Sequence, residues 1–521
     1  MKKFTIILLG LCFLVNNEMF SQRISVENAQ RVAENFFSEI ACKSSIPTQV
    51  LPLGKRDRPA VYAISSSNSW VLIAGDKRVR PILAYSEANS GVFPAEEDRP
   101  DGMSFMLGWY IEQIDALVED NTIVEPNPQW EAYLTPSRQN SIDRSVVVEP
   151  LLSRNGYENI WKQIDNNTQG EPDITKTYNK FCPAVHDLIQ NCDHAVVGCS
   201  ALATSQIMWY WQWPYATIVK DDNANQLLRI YNWELMPYSL TNFSSLDEAD
   251  MVANLLHDVG VAINTTYGCP GSYGSSAIID SISQQLRNRF FYYADNVINR
   301  SSYTNSVWIN MIKSNLDTSF PIIYSGMTLN GNEYSGHTFV LDGYNTDNMF
   351  HMNFGWGGDN NSYYSLDAIN IDIYHQYNHQ QSMIKNIHPH YPSCSPFVVP
   401  SNDFWPTNFV LLNGGSFTIG NRVITSGMQG TILSGESVTL TSGFEIEAGA
   451  NVYIAVEDMH CDDDRGDTLD SDEETSPLIP HAPHKQNVIN DPPSASKILR
   501  DGQILILRGD KTYTLTGQEV K

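Results

Sequence analysis

One run constrains this 521-residue chain more than any other: Val197-Gly198-Cys199-Ser200-Ala201-Leu202-Ala203-Thr204-Ser205-Gln206-Ile207-Met208-Trp209-Tyr210. Ala201, Leu202, Ala203, Gln206 and Met208 favour a helix, and Gly198 lets the backbone turn sharply just before it. The small residues Ser200, Ala201, Ala203 and Thr204 allow close packing on the first turns. Cys199 is therefore expected at a helix N-terminus, where the positive end of the macrodipole stabilises a thiolate. Such a position suits a nucleophile. It also suits a buried core cysteine, the commoner fate of an unpaired Cys, and the run alone does not separate the two.

The length allows two to four domains, and 42% apolar residues suffice for real cores. A formal net charge of -26 argues against nucleic-acid binding, which needs a basic face. The eight cysteines (12, 42, 182, 192, 199, 269, 394, 461) are too scattered for a disulfide scaffold and contain no C-x-x-C pair, so a zinc ribbon is not expected. Residues 1–21 read as a secretory signal, with Lys2 and Lys3 ahead of a short apolar stretch from Phe4 to Val15. That stretch is too short to span a bilayer, and no later transmembrane segment is expected.

Residues 22–145 read as a separate small α/β unit. Val26, Ala29, Val32, Ala33, Phe36 and Phe37 recur at helical spacing. Tyr62–Ile64 and Trp70–Ala74 flank a Ser/Asn turn, Pro81–Tyr85 is a further strand, and a second helix is expected over Met103–Leu117. The polar stretch 135–145 is where a protease would cut. Residues 146–392 hold most of the chemistry. Residues 395–460 break into short alternating strands ended by glycine, which fits a small sheet, a β-solenoid or an ordinary β-sandwich. Residues 461–496 form an acidic and proline-rich linker whose spacing matches no calcium loop. Arg465-Gly466-Asp467 and Arg508-Gly509-Asp510 are read as turn chemistry. Residues 497–521 pattern as a β-hairpin.

A thiolate nucleophile needs a base. The candidate is His337, expected to start a strand that ends at Asp342-Gly343, with Met349–Phe354 as the second arm of a hairpin. A loop symmetric about Asn345 would set Asn353 opposite His337, about 5 Å away, where its amide would orient the imidazole as in Cys-His-Asn proteases. His351, two residues from Asn353 and on the same strand face, is the natural competitor for His337. Upstream lies Gln163, whose amide is of a type that can donate to an oxyanion, although nothing in the local sequence forces that role and by itself it reads as a surface glutamine.

Four blocks, in order, carry a resemblance. The segment Gly198-Cys199 to Pro214 resembles the nucleophile segment of the streptopain family of bacterial cysteine peptidases, in the papain-like clan. Gly336-His337-Thr-Phe-Val-Leu-Asp342-Gly343-Tyr344 resembles its histidine segment. Phe350-His351-Met-Asn353-Phe354-Gly355-Trp356-Gly357-Gly358 resembles the segment that follows. Trp161-Lys-Gln163 and Tyr178-Asn179-Lys-Phe-Cys182-Pro183 resemble the start of the catalytic domain. The resemblance implies an α+β fold, a helical lobe plus an antiparallel β-sheet lobe, preceded by an inhibitory propeptide over 22–145 and followed by an all-β module. It implies Cys199 as nucleophile, His337 as base, Asn353 as the orienting residue and Gln163 in the oxyanion hole, with Gly336, Phe354 and Trp356 walling the site. Phe354 departs from the tryptophan frequent after that asparagine. It retains shielding but has no N–H to donate. The tail around Asp501-Gly502-Gln503 and Gly517-Gln518-Glu519-Val520 resembles export tails of Bacteroidetes proteins, which implies a soluble product secreted from, or held on the outer surface of, a Gram-negative cell.

The expectation is a secreted cysteine endopeptidase made as a zymogen. It acts on protein or peptide substrates, prefers hydrophobic side chains near the scissile bond, is inhibited by its own propeptide until a cut between about 135 and 158, and needs no cofactor or metal. Tyr267, Cys269, Gly271, Ser272 and Gly274 are candidates for a glycine-rich pocket wall. The alternatives are a cell-wall amidase of the same clan, and a surface binding protein with a degenerate peptidase domain.

Overall fold

The computed structural model describes residues 22–520. Excluded are the segments 41–46, 87–90, 120–124, 136–143, 164–175, 221–224, 271–273, 331–332, 367–380, 401–404, 462–495, 501–502, 509–510 and 515–518, and residues 188, 458 and 460. The expected signal segment and acidic linker thus lie outside the described residues. Two compact units divide the chain: residues 1–166, 202–207 and 295–386 in the first, and 167–201, 208–294 and 387–521 in the second.

The first unit is built on an 11-stranded antiparallel sheet. Four strands come from the N-terminal segment: Gln49–Lys55, Arg58–Ser65, Trp70–Ala74 and Ile82–Tyr85. The sheet continues without a break through Ser362–Ser365, Met349–Asn353, Glu333–Asn345, Ile322–Asn330, Gln381–Ile384 and Ile298–Asn299, while Val146–Val148 adds to Glu333–Asn345. The strands of the expected α/β unit over 22–145 thus share one sheet with the strands after residue 295. At the seam Tyr85 pairs with Tyr363 and Ala84 with Tyr364. Joining two edges satisfies backbone groups that each sheet would otherwise leave unpaired. The two expected N-terminal helices form at Val26–Ile40 and Asp101–Glu119, with Ala29, Val32, Ala33, Phe36 and Phe37 of the first buried. The strand Gln49–Lys55 escaped the sequence reading. It is a largely exposed edge interrupted by Pro52 and Gly54, and edge strands tolerate both.

In the second unit the helix Leu246–Ala262 starts with a reciprocal capping box. Ser245 N donates to Glu248 Oε2 (2.6 Å), and Glu248 N donates to Ser245 Oγ (3.2 Å). A disulfide joins Cys192 to Cys269. After Pro389 the chain winds into a β-solenoid with parallel strands on three faces. Asn408–Asn413, Gln429–Ser434 and Asn451–Val456 form one face. Phe397–Val398, Phe417–Ile419 and Val438–Leu440 form the second, and Arg422–Ile424 and Phe444–Ile446 the third. Asn408 pairs with Gln429 and Gln429 with Asn451, so identical faces recur every 21 or 22 residues and like side chains stack. Ile432, fully buried, sits in register between Leu411 and Ile454. The Cys394–Cys461 disulfide brackets this module. The tail strands Ser496–Arg500, Gln503–Arg508, Lys511–Thr514 and Glu519–Val520 extend its sheet antiparallel.

Ile432→Ala should open a cavity in this stack at a cost of about 2–5 kcal/mol. Chymotrypsin should then cut within 405–456 much faster than in the parent chain, and an unchanged digestion rate would show that the stack does not hold the module.

Candidate active site

Cys199 is the first residue of the helix Cys199–Trp211, with Gly198 as its N-cap at φ 88° and ψ 143°. That backbone conformation favours glycine, and a Cβ at Gly198 would also meet Ser275 Cβ and O at 3.1 Å. Any other residue would push the helix start off the loop that carries Ser275. The thiol is partly exposed and outside both disulfides. The N–H groups of the first turn have no intrahelical acceptors, so the environment favours an anion there. Beyond its first residue the helix is buried on every side, the apolar Ala201, Leu202, Ala203, Ile207, Met208 and Trp209 together with the polar Ser200, Thr204, Ser205 and Gln206, as befits a central core helix. Among the described residues, the other cysteine outside a disulfide is Cys182, which is buried.

His337 lies four residues into the strand Glu333–Asn345 rather than at its start, opposite Gly326. It is 2% exposed. Its Nε2 is 3.1 Å from the Phe354 carbonyl oxygen. A carbonyl only accepts, so Nε2 carries the proton and Nδ1 holds the basic lone pair. The imidazole stacks at 6.0 Å on Phe339. Phe354, also buried, packs edge-on against Phe339 and Tyr364.

The expected register between His337 and Asn353 is not observed: Asn353 pairs with Val340. Asn345 Oδ1 accepts from Asp347 N and Met349 N, both at 3.0 Å, which moves the turn past residue 345. A bulge between Leu341 and Gly343 moves the ladder back by one residue, which is not enough to restore the expected pair. The Asn353 amide accordingly points elsewhere. Its Oδ1 accepts from Gly355 N and Gln206 Nε2, both at 3.1 Å, and its Nδ2 donates to Asn159 O (2.7 Å) and Glu158 Oε1 (3.0 Å). The competitor His351 is bound through Nδ1 to Asp342 Oδ1 (2.7 Å), and Asp342 Oδ2 accepts from Leu152 N (3.0 Å). The bulge brings Asp342 to this role.

Gln163 is 7% exposed, not the surface residue its local sequence suggests. Neighbouring Lys162 forms an isolated bridge with Trp356, and Gly357 N donates to Trp161 O (3.4 Å). These contacts put the glutamine segment beside the glycine-rich loop. In that loop Gly355, at φ 72°, sits so close to Leu202 that a Cβ would stand 2.5 Å from its Cδ2. Gly336 is exposed and Trp356 half-buried. Of the candidate pocket wall, Cys269 is held in a disulfide, and Gly271 and Ser272 lie outside the described residues. Glu158, Asn159, Gln206 and Asn361 were missed. Isolated polar residues carry no periodic signal, and only their convergence around Asn353 singles them out.

The N-terminal segment covers His337 directly. Gly102 opens the helix Asp101–Glu119 so near to it that a Cβ would lie 2.3 Å from Phe354 Cδ1 and 2.7 Å from His337 Cδ2. The outer end of the Phe105 ring occupies the space a Cβ at Gly326 would need, and Gly326 is the cross-strand partner of His337.

The chain resembles known proteins. A family model described as Spi protease inhibitor matches residues 21–114, and the Peptidase C10 family model matches 173–364. Streptopain from Streptococcus pyogenes serotype M28 is 30% identical over 330 residues, covering 60% of this chain and 74% of its own. The thiol protease/hemagglutinin PrtT of Porphyromonas gingivalis is 26% identical over 386 residues, 70% of this chain and 41% of its own. A Prevotella intermedia prointerpain A fragment superposes with a TM-score of 0.47 at 22% identity, covering 65% of this chain and 98% of its own.

This is a cysteine peptidase of α+β, papain-like fold that carries a zymogen's inhibitor domain on the same chain. The chain belongs to the Peptidase C10 family.

Proposed function

We propose that this chain is a secreted cysteine endopeptidase in which Cys199 is the nucleophile and His337 the base. The observation that carries this reading is the buried imidazole of His337, its Nε2–H committed to the Phe354 carbonyl and its Nδ1 the basic nitrogen. Nδ1 takes the proton of Cys199 Sγ, and the thiolate attacks the peptide carbonyl. The Cys199 N–H and the Gln163 amide donate to the oxyanion. The imidazolium returns its proton to the leaving amine, and water hydrolyses the thioester. Asn353 holds the backbone at Gly355 through its Oδ1 and so supports the carbonyl that orients His337. Phe354 and Trp356 shield the pair, and Gly336 leaves room beside it.

Substrates are proteins and peptides with hydrophobic side chains near the scissile bond. The N-terminal signal delivers the chain to the exterior, and the C-terminal hairpins serve as the export tail. Among the described residues no helix is long and apolar enough to cross a membrane. The maturation cut falls before Val146. Val146 and Val148 pair with Asn345 and Tyr344, and Leu152 N binds Asp342, so later residues are integral to the catalytic sheet. This narrows the window expected from sequence.

The test is casein hydrolysis by the processed chain with and without iodoacetamide. Hydrolysis abolished by the thiol reagent is expected, and a processed chain inert toward casein would overturn the endopeptidase reading. A second variant probes inhibition. Gly102→Val places carbon atoms where the Phe354 and His337 rings now sit. The unprocessed chain should then cleave a small fluorogenic peptide several-fold faster than the parent zymogen, and equal rates would show that Gly102 does not seat the inhibitor.

A further inference from the structure

The backbone that orients His337 is itself held by a carboxylate outside the expected machinery. Glu158 Oε1 accepts from Asn353 Nδ2 (3.0 Å) and from Asn361 Nδ2 (2.7 Å). An ionised carboxylate only accepts. Both side-chain NH2 groups must therefore face Glu158, which forces both side-chain oxygens the other way. Those oxygens meet consecutive backbone donors: Asn361 Oδ1 accepts from Phe354 N (3.0 Å) and Asn353 Oδ1 from Gly355 N (3.1 Å). The peptide groups on both sides of Phe354 are thereby fixed, and the second of them carries the carbonyl that accepts from His337 Nε2. Asn353 is fully buried and Asn361 8% exposed, so neither amide can turn to water without leaving buried polar groups unpaired.

We propose that Glu158 and Asn361 are positioning residues for the base: the carboxylate sets the orientation of two asparagine amides, which hold the Phe354 carbonyl against His337 and so fix the imidazole tautomer. The proposal rests on the reading of His337 as the base.

The test uses enzyme matured from the full chain. N361D sets two carboxylates against each other where an amide met a carboxylate. E158Q/N361D restores a donor–acceptor pair with the polarity reversed, while the amide oxygen at position 158 still accepts from Asn353. For N361D and for Glu158→Ala, kcat should fall roughly 10- to 100-fold, the scale of a misplaced catalytic group. KM should change less than about 3-fold, since the substrate contacts are untouched. The pH profile of inactivation by iodoacetamide should move toward that of an ordinary thiol, because an imidazole in the wrong tautomer no longer supports the thiolate. E158Q/N361D should recover most of kcat and the parental profile. Should Glu158→Ala fail to fold, the N361D and E158Q/N361D pair still decides. Parental kcat and profile in N361D would overturn the proposal, as would a folded E158Q/N361D no better than N361D. His337→Ala separates the two levels. If it is inactive while N361D and Glu158→Ala behave as the parent, only the positioning claim falls. If His337→Ala keeps activity, the reading of the base falls, and this proposal with it.

Discussion

A chain carrying Cys199→Ala is expected to accumulate uncut ahead of Val146 and to leave casein intact, with turnover down by at least about 10,000-fold, the scale seen when a nucleophile is removed from a catalytic set. The helix itself should survive. Alanine is the best helix former, the site is partly exposed, and the restraint on the helix start is Gly198 against Ser275 rather than the thiol. The matching control is Cys182→Ala, which removes a buried thiol and should lower the melting temperature modestly while leaving kcat near the parental value. Gel mobility, N-terminal sequencing and caseinolysis of the two variants measure both outcomes. Processing that persists in Cys199→Ala would assign the cut to another protease. Caseinolysis that persists would end the assignment of Cys199.

Arg80→Ala should unlock the zymogen. Arg80 is 5% exposed and lies in the inhibitor segment. Its guanidinium meets Asp347 Oδ2 at 2.7 Å and Asp347 O at 3.1 Å across the seam, and reaches Ser365 Oγ at 3.4 Å. Asp347 keeps Gln129 Nε2 on its other oxygen at 2.9 Å, but it is nearly buried and would lose its countercharge. Breaking a buried ion pair from one side costs about 3–5 kcal/mol, mostly the desolvation of the charge left behind. That cost falls on the state in which the inhibitor is docked, because an undocked Asp347 regains water. Each 1.4 kcal/mol is tenfold, so docking should weaken by roughly 100- to 4,000-fold. The purified unprocessed chain should show activity on a fluorogenic peptide at once, and its processing lag should shorten. A lag equal to that of the parent chain would mean that the remaining contacts, the Tyr85–Tyr363 and Ala84–Tyr364 pairing among them, hold the seam without Arg80.

What was legible in the sequence was local. The 3.6-residue spacing of Ala29, Val32, Ala33, Phe36 and Phe37 marked a helix that forms with those residues buried, and the helix run after Gly198 is where it was expected. A short apolar run beside a Ser/Asn turn marked the strand Trp70–Ala74, and alternation after His337 marked the strand that carries it. The hairpin register was not legible, because a turn ordered by the Asn345 side chain and a one-residue bulge at Asp342 both move the pairing, and neither leaves a mark in apolar periodicity. The disulfide pairs and the sharing of one sheet between inhibitor and peptidase depend on which edges and which sulfurs meet, and that is a property of the folded chain.

Taken alone, the sequence determined the class of chemistry: a cysteine at a helix start, a histidine on a strand and the ordered blocks that surround them. Those features rest on residue type and short-range spacing, which survive in one dimension. Only the tertiary structure decided which acceptor faces His337, that Asn353 serves the backbone rather than the imidazole, that Glu158 sets two amides at once, and that Gly102 brings the inhibitor helix onto the histidine. Each of these depends on directional contacts between groups far apart in the chain, and their direction exists only once the sheet has closed.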